Sequence, residues 1–237
     1  MRNKLLVIVL SLTFMTGVSS NNKSATKPTT TKVKNVVGSN NWVKTTSKTI
    51  SSKATNLDPE VLKVSLNAYA KAKSQGITKT PMLTIVDYSK PSKDRRLWVI
   101  DMRKLNVVFN TWVAHGKNSG AAKATSFSNK PQSKKSSLGV FITDAPYRGI
   151  HGYSLRIKGL EKNINNNAYN RAIVVHGSKY VSQGFAKSRG MMGRSWGCFA
   201  VDQKVIKPLV NTIKEKSIIV AYYPDKNWLS KSSYVKT

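Results

Sequence analysis

The sequence predicts a mainly β protein, a sandwich or barrel carrying a few helices. Three observations predict it. Eight short segments after Pro81 are dense in β-branched and aromatic residues. Clusters of Gly, Asn, Ser and Lys separate them, the punctuation expected between strands. Only two stretches have the spacing of an amphipathic helix.

The strand segments are MLTIVDYS (82–89), RLWVIDM (96–102), LNVVFNTWVAHG (105–116), GVFITDA (139–145), YSLRIKGL (153–160), RAIVVHGS (171–178), CFAVD (198–202) and SIIVAYYP (217–224). Ahead of them, Asp58-Pro59-Glu60 supplies an N-cap, a proline at the first helical position and an acid in the first turn. Leu62, Leu66 and Tyr69 follow at helical spacing and Gly76 is a stop, giving a helix of about four turns. Gln203 to Lys214 gives the second helix, with Val205, Leu209, Val210 and Ile213 apolar. Many strands and few helices fit a sandwich or barrel.

The ends of the chain have a different character. Arg2 and Lys4 precede an apolar run, Leu5 to Val18, and then Ser19 and Ser20, the pattern of a secretory signal over 1–20. The run is shorter than the ~20 residues of a spanning helix, and a short anchor is the alternative. Residues 21–56 are rich in Ser, Thr, Asn and Lys, and the first acidic residue of the chain is Asp58. Such a segment buries too little apolar surface to offset its ordering entropy, so a flexible basic linker is expected. The remaining boundaries are 57–80 for the N-terminal helix, 81–225 for the main domain and 226–237 for a frayed C-terminal tail.

Forty Lys+Arg against ten Asp+Glu give the 237-residue chain a formal charge of +30. A charge this large selects anionic partners: nucleic acid, lipid headgroups or anionic envelope polymers. An exported chain without a basic-aromatic motif favours the envelope polymer, so no nucleic acid partner is expected. The expected location is the periplasm or cell-wall space, and the expected state a monomer.

The chemistry centres on one cysteine. A single Cys in an exported chain makes no internal disulfide. Taken alone, it is more often a buried, inert residue. Cys198, however, sits in GMMGRSWGCFAV, where a glycine-rich loop enters a strand. Gly197 permits close approach of the backbone to a substrate, and the amides of Gly197 and Cys198 could meet a developing oxyanion. Arg194 lies four residues upstream, where a cation favours the thiolate. An ordinary thiol, with a pKa of ~8.5, needs a base near neutrality. The three histidines, His115, His151 and His176, each lie near a strand end and precede a glycine. His and Cys are also zinc ligand types, but no short-spaced ligand pair is present, so neither metal nor cofactor is expected.

VVHGSKY followed by GRSWGCFAV resembles the active-site signature of the L,D-transpeptidase catalytic domain, the YkuD type. The correspondence is His176-Gly177 and then Ser195-Trp196-Gly197-Cys198. A looser similarity from about Thr84 to Tyr222 takes in DYSKPSKDRRLWVID, WVAHGKNSG, SSLGVFIT and YRGIHGYSLRIKGLE, and looks like the divergent murein subgroup. The resemblance implies an L,D-transpeptidase-like fold and a Cys198 nucleophile with His176 as its base. The imidazole would be oriented largely by a backbone carbonyl, with Gly177 beside it. The substrate would be a peptidoglycan stem peptide, attacked at its third residue and released from D-alanine as a thioester. Ser195, Arg194, Trp196 and His151 would contact it, Ser195 having a turn role as its alternative. His115 has a weaker claim on the cleft.

Two departures concern the rim. Trp196 stands where many members of that family have His, and Ala200 where better-known members have Arg. The His176–Cys198 gap is also longer than usual. Two rival readings remain, and a third fails on its residues. An L,D-carboxypeptidase would resolve the same thioester with water. A sortase needs an Arg after its Cys, and none follows Cys198. A non-catalytic, basic wall-binding protein would need no thiol at all.

Overall fold

A computed structural model describes residues 35–235. The expected signal, 1–20, and the first part of the expected linker, up to 34, lie outside the described residues. Eight strands form one mixed sheet: β1 (Met82–Asp87), β2 (Leu97–Asp101), β3 (Asn106–Thr111), β4 (Gly139–Gly149), β5 (Gly152–Gly159), β6 (Val174–Ser178), β7 (Phe199–Asp202) and β8 (Ile218–Tyr222). Their order is β3-β2-β1-β8-β4-β5-β6-β7. The β1–β8 and β6–β7 pairs are parallel and the other neighbours antiparallel.

The two edge strands meet again. Just past β3, Val113 bridges Val201 of β7, and the Ala114 amide donates to the Ala200 carbonyl at 2.8 Å. The sheet is thereby nearly closed into a barrel, which removes most of its exposed edge. Alternate residues of every strand then face one interior. There Phe141 and Phe199 meet edge to face at 5.5 Å and Tyr88 stacks on Phe199 at 6.3 Å, all three buried, while Leu83, Ile85 and Trp98 alternate to the opposite face of the sheet.

Five helices surround the sheet: α1 (Asn40–Ser51), α2 (Pro59–Ser74), α3 (Gln183–Arg189), α4 (Ile206–Ile213) and α5 (Lys226–Lys231). α2 begins as its sequence dictates. The Asp58 carboxylate accepts from the amides of Glu60 and Val61, at 2.8 and 3.2 Å. It ends in a Schellman motif: Gly76 takes φ +68°, and the amides of Gly76 and Ile77 return to the carbonyls of Lys73 and Ala72. Leu62 and Leu66 are fully buried against β1 and β8. Each contributes about 1.5–3 kcal/mol relative to exposure.

Two expectations are corrected. Residues 40–51 are a helix rather than flexible linker. Ser39 caps it by accepting from the Trp42 amide at 3.1 Å, and Val43, Thr46 and Ile50 are buried on one face against α2. The i, i+3, i+7 spacing supplies the apolar stripe that overall composition conceals. The C-terminal segment is likewise packed. Asp225 caps α5 through the Trp228 amide, and Trp228 is 2% exposed. Buried Glu161 holds the segment in place, accepting from the Val140 amide, the Trp228 indole and the Ser232 hydroxyl. Burial raises the Glu161 pKa. No helix among the described residues is long and apolar enough to cross a membrane.

Candidate active site

The parallel β6–β7 pair builds the site. His176 lies on β6 opposite Ala200 of β7. Cys198 immediately precedes β7, two residues before Ala200. Successive strand residues alternate faces, so this register directs Cys198 and His176 to the same side. Both line one pocket of about 420 Å³. Arg171, Ala172 and Ile173 form one wall, Tyr180 and Arg194-Ser195-Trp196 another, and Ile150-His151 from the β4–β5 hairpin tip a third.

The loop before Cys198 is held by its own polar groups. The Ser195 amide donates to the His115 carbonyl at 2.9 Å, and the Lys117 amide donates to the Ser195 carbonyl at 2.8 Å. The Ser195 hydroxyl donates to the Cys198 carbonyl at 2.8 Å and accepts from the Gly197 amide at 3.1 Å. Gly197 takes φ +120°, and a Cβ there would lie 2.7 Å from the Lys135 carbonyl oxygen. Both the backbone angle and the space require glycine. Because its N–H is spent on Ser195, Gly197 is not the oxyanion donor expected of it. The Cys198 amide is left as the candidate.

His176 is 2% exposed, and its Nδ1 lies 3.0 Å from the Gly177 carbonyl oxygen. A carbonyl only accepts, so Nδ1 carries the proton and Nε2 is the unprotonated nitrogen. Burial lowers the His176 pKa, with the neighbouring His151 adding in the same sense. Gly177 therefore serves orientation through its carbonyl. A Cβ at this position would lie 2.6 Å from Gln203 Oε1 and 3.0 Å from Ile206 Cγ2, so the space there suits glycine. The His151 ring, on an exposed turn, stacks on the His176 ring at 4.3 Å with 19° between planes.

The thiol donates to the Ala172 carbonyl at 3.6 Å. Burial raises its pKa, opposed by the Val174 amide and the Arg171 charge. Arg171 is the residue that sequence reasoning missed. Its guanidinium donates to the Ser128 and Lys135 carbonyls and to the Ser133 and Ser137 hydroxyls, at 2.6–3.1 Å. All four acceptors are neutral, so its charge remains available to a thiolate. Arg194, expected in that role, instead extends over the exposed carbonyls of Lys117 and Gly120. No spacing signal marks Arg171, whose partners lie 34–43 positions away.

The remaining expected residues divide. Trp196 is 68% exposed at the rim, with the Lys134 ammonium 4.7 Å from its ring centroid. Ala200 is fully buried beside Ala114, Val181 and Met192. His115 is fully buried outside the pocket. Arg96 Nη2 donates to its Nδ1 at 2.8 Å, while Nε2 faces the Gly120 carbonyl at 3.4 Å. Burial, reinforced by Arg96, lowers its pKa to about 4. Among the described residues no group of three His, Cys, Asp or Glu side chains could hold a metal ion.

The profile of the L,D-transpeptidase catalytic domain matches residues 53–222, which takes in α2 and all eight strands. Solved structures with similar coordinates include an L,D-transpeptidase from Mycobacterium smegmatis, at 12% identity and TM-score 0.39 over 60% of this chain and 59% of that one. L,D-transpeptidase 1 of Mycobacterium tuberculosis gives 12% identity and TM-score 0.35, over 60% and 62%. An Enterococcus faecium L,D-transpeptidase gives 13% and 0.35, over 60% and 50%. The chain thus spans about six-tenths or less of the length of these structures. No curated protein sequence matches it. With the profile covering well over half of its length, the chain belongs to the L,D-transpeptidase catalytic-domain family.

Proposed function

We propose that the protein is an exported peptidoglycan L,D-transpeptidase, with Cys198 as nucleophile and His176 as general base. One observation carries the reading. A single pocket holds the thiol, an imidazole whose Nδ1 proton is committed to Gly177, and an Arg171 cation bonded only to neutral acceptors.

The titration directions suggest how the pair works. Burial holds the thiol protonated and the imidazole neutral, so the resting site is uncharged at Cys198 and His176. Attack by Sγ on the carbonyl of the third stem residue would pass the thiol proton to His176 Nε2 as the S–C bond forms. Arg171 and the Cys198 amide would stabilise the developing negative charge. Collapse of the tetrahedral intermediate breaks the peptide bond, and His176 returns the proton to the departing D-alanine amine. The thioester then awaits the amine of a second stem, which would give a cross-link between third residues. Trp196, His151, Arg194 and Ser195 border the space where the stem would lie.

The test incubates purified protein with a disaccharide-tetrapeptide and follows the products by mass spectrometry. The expected product is a dimer lacking one D-alanine, absent with Cys198→Ala. Tripeptide alone would make water the acceptor and the protein an L,D-carboxypeptidase. No turnover by the wild type, with binding to wall retained, would overturn the enzyme reading.

A further inference from the structure

Beside the pocket, the outer surface carries rings and cations in alternation. The Arg156 guanidinium on β5 lies 4.5 Å from the Tyr147 ring centroid and 5.9 Å from that of Tyr169. The Lys158 ammonium lies 5.4 Å from the same Tyr169 ring. The series runs Tyr147, Arg156, Tyr169, Lys158. Arg156 is exposed, and Tyr169 is 44% exposed. A surface arginine in a chain of +30 needs no special account. One held between two rings, with no carboxylate bonded to it among the described residues, calls for one.

We infer that Tyr147, Arg156, Lys158 and Tyr169 form a binding surface for a linear polyanion, a polymer bearing closely spaced phosphodiester or carboxylate groups. A ring beneath a guanidinium fixes its plane and leaves its N–H edges free for bidentate contact with an oxyanion. The rings are used to hold cations, so a neutral sugar would compete with the protein's own side chains for them. Positions 156 and 158 are two residues apart on one strand, about 6.6 Å at strand rise, which suits successive anions on a polymer better than one small ion. Lys158 already contacts Asp144 at 2.8 Å, but both groups are partly exposed, and such a pair is readily exchanged for a polymer anion.

Placement gives the surface a use. Arg156 pairs with Val174 on β6, in register two residues from the Ser154–His176 pair. Tyr169 lies two residues before Arg171 in the pocket wall. A polymer bound here would run along the outside of that wall, keeping the protein beside wall material while the pocket stays open. The inference does not depend on the chemistry assigned to Cys198.

Binding of full-length protein to two probes, poly(glycerol phosphate) and poly-γ-glutamate, would be measured at fixed ionic strength. The variant combines Arg156→Gln, Lys158→Gln and Tyr169→Ala. The control, Lys44→Gln with Lys48→Gln on exposed positions of α1, removes the same charge. The expected loss is about tenfold for the variant and twofold or less for the control, since contacts to a polyanion outweigh remote charge. Loss on the phosphate polymer alone, or on the carboxylate polymer alone, identifies the source of the anion. Equal loss in variant and control on both probes would overturn the proposal, because net charge would then suffice. Thermal melting of each protein guards against misfolding. The variant should retain wild-type turnover of a soluble disaccharide-tetrapeptide, whereas Cys198→Ala should retain wild-type polymer binding, so the two readings fail separately.

Discussion

His115 and His176 share a local sequence and do opposite things. Each lies at or just past a strand, each precedes glycine, each is buried, and each has its pKa lowered by that burial. The difference lies in what meets the second ring nitrogen. At His115 both nitrogens are committed, Nδ1 to Arg96 and Nε2 toward Gly120. At His176 only Nδ1 is committed, to Gly177, and the ring borders a pocket with a thiol. A His-Gly dipeptide therefore specifies a place in the fold, and the partner from another strand specifies the use. Arg96 is that partner for His115: it is fully buried, donates also to the Val113 and Lys90 carbonyls, and lies over the Tyr88 ring at 5.1 Å.

Exchanging the expected failures of the two residues is the strongest way to break the comparison. His176→Ala should lower kcat/KM by about 10²- to 10⁴-fold, the usual value of a positioned base, with little change in melting temperature. His115→Ala should do the reverse. It opens a cavity and strips an acceptor from buried Arg96, costing about 2–4 kcal/mol, with the activity of the remaining folded protein largely kept. Thermal unfolding and steady-state kinetics on both variants decide it. If His115→Ala lost activity without losing stability, the assignment of roles would be wrong.

The same pair predicts two separable responses to acid. His176 must be neutral to accept a proton, and its lowered pKa keeps it so below the ordinary 6.5. The acid limb of the kcat/KM profile should therefore have its midpoint below 6.5. His115 affects stability. Its folded pKa is about 4 against 6.5 unfolded, so between those values the unfolded chain binds the extra proton. Its contribution is intact above pH 6.5 and is lost as pH falls toward 4, by on the order of 3 kcal/mol at most. His176 adds to the loss in the same sense. His115→Gln keeps an acceptor for Arg96 and removes the titration. Its unfolding free energy should depend less steeply on pH than the wild type's, while its activity profile stays where it was. Identical stability slopes in the two proteins would sink this account.

Legibility followed the range of the interaction. All eight strands were readable because β-branched and aromatic content and the Gly, Asn, Ser and Lys clusters between segments are local signals. The Cys198 loop was readable because its glycines are adjacent. α1 was not, since its Ser, Thr and Lys content outweighs three buried positions, though Ser39 and the Val43–Thr46–Ile50 spacing were there to be seen. α3 was invisible because none of its residues is buried; the Ser182 cap and left-handed Gly190 are its only local marks. Arg171 lay beyond reach for a different reason. It works through carbonyls and hydroxyls of a loop more than thirty residues earlier, and nothing near Arg171 in sequence announces them. The Gly197 expectation failed on a single hydrogen bond, the one to Ser195, which only coordinates reveal.

That hydrogen bond supplies the smallest and most discriminating prediction. Ser195 is 4% exposed, with its hydroxyl engaged both ways inside the loop, to the Cys198 carbonyl and from the Gly197 amide. Replacing it with alanine leaves that amide without its partner, at a cost of about 1–2 kcal/mol. A loosened loop displaces Sγ and the Cys198 amide from their positions against the substrate carbonyl. Misplacement of that kind weakens the transition state more than the ground state, so Ser195→Ala should lower kcat several-fold to about tenfold and leave KM nearly unchanged. A direct contact with the stem peptide would act on binding instead, and KM would rise at constant kcat. A rise in KM alone would return Ser195 to the substrate-binding role and require the loop to hold its shape without this hydroxyl.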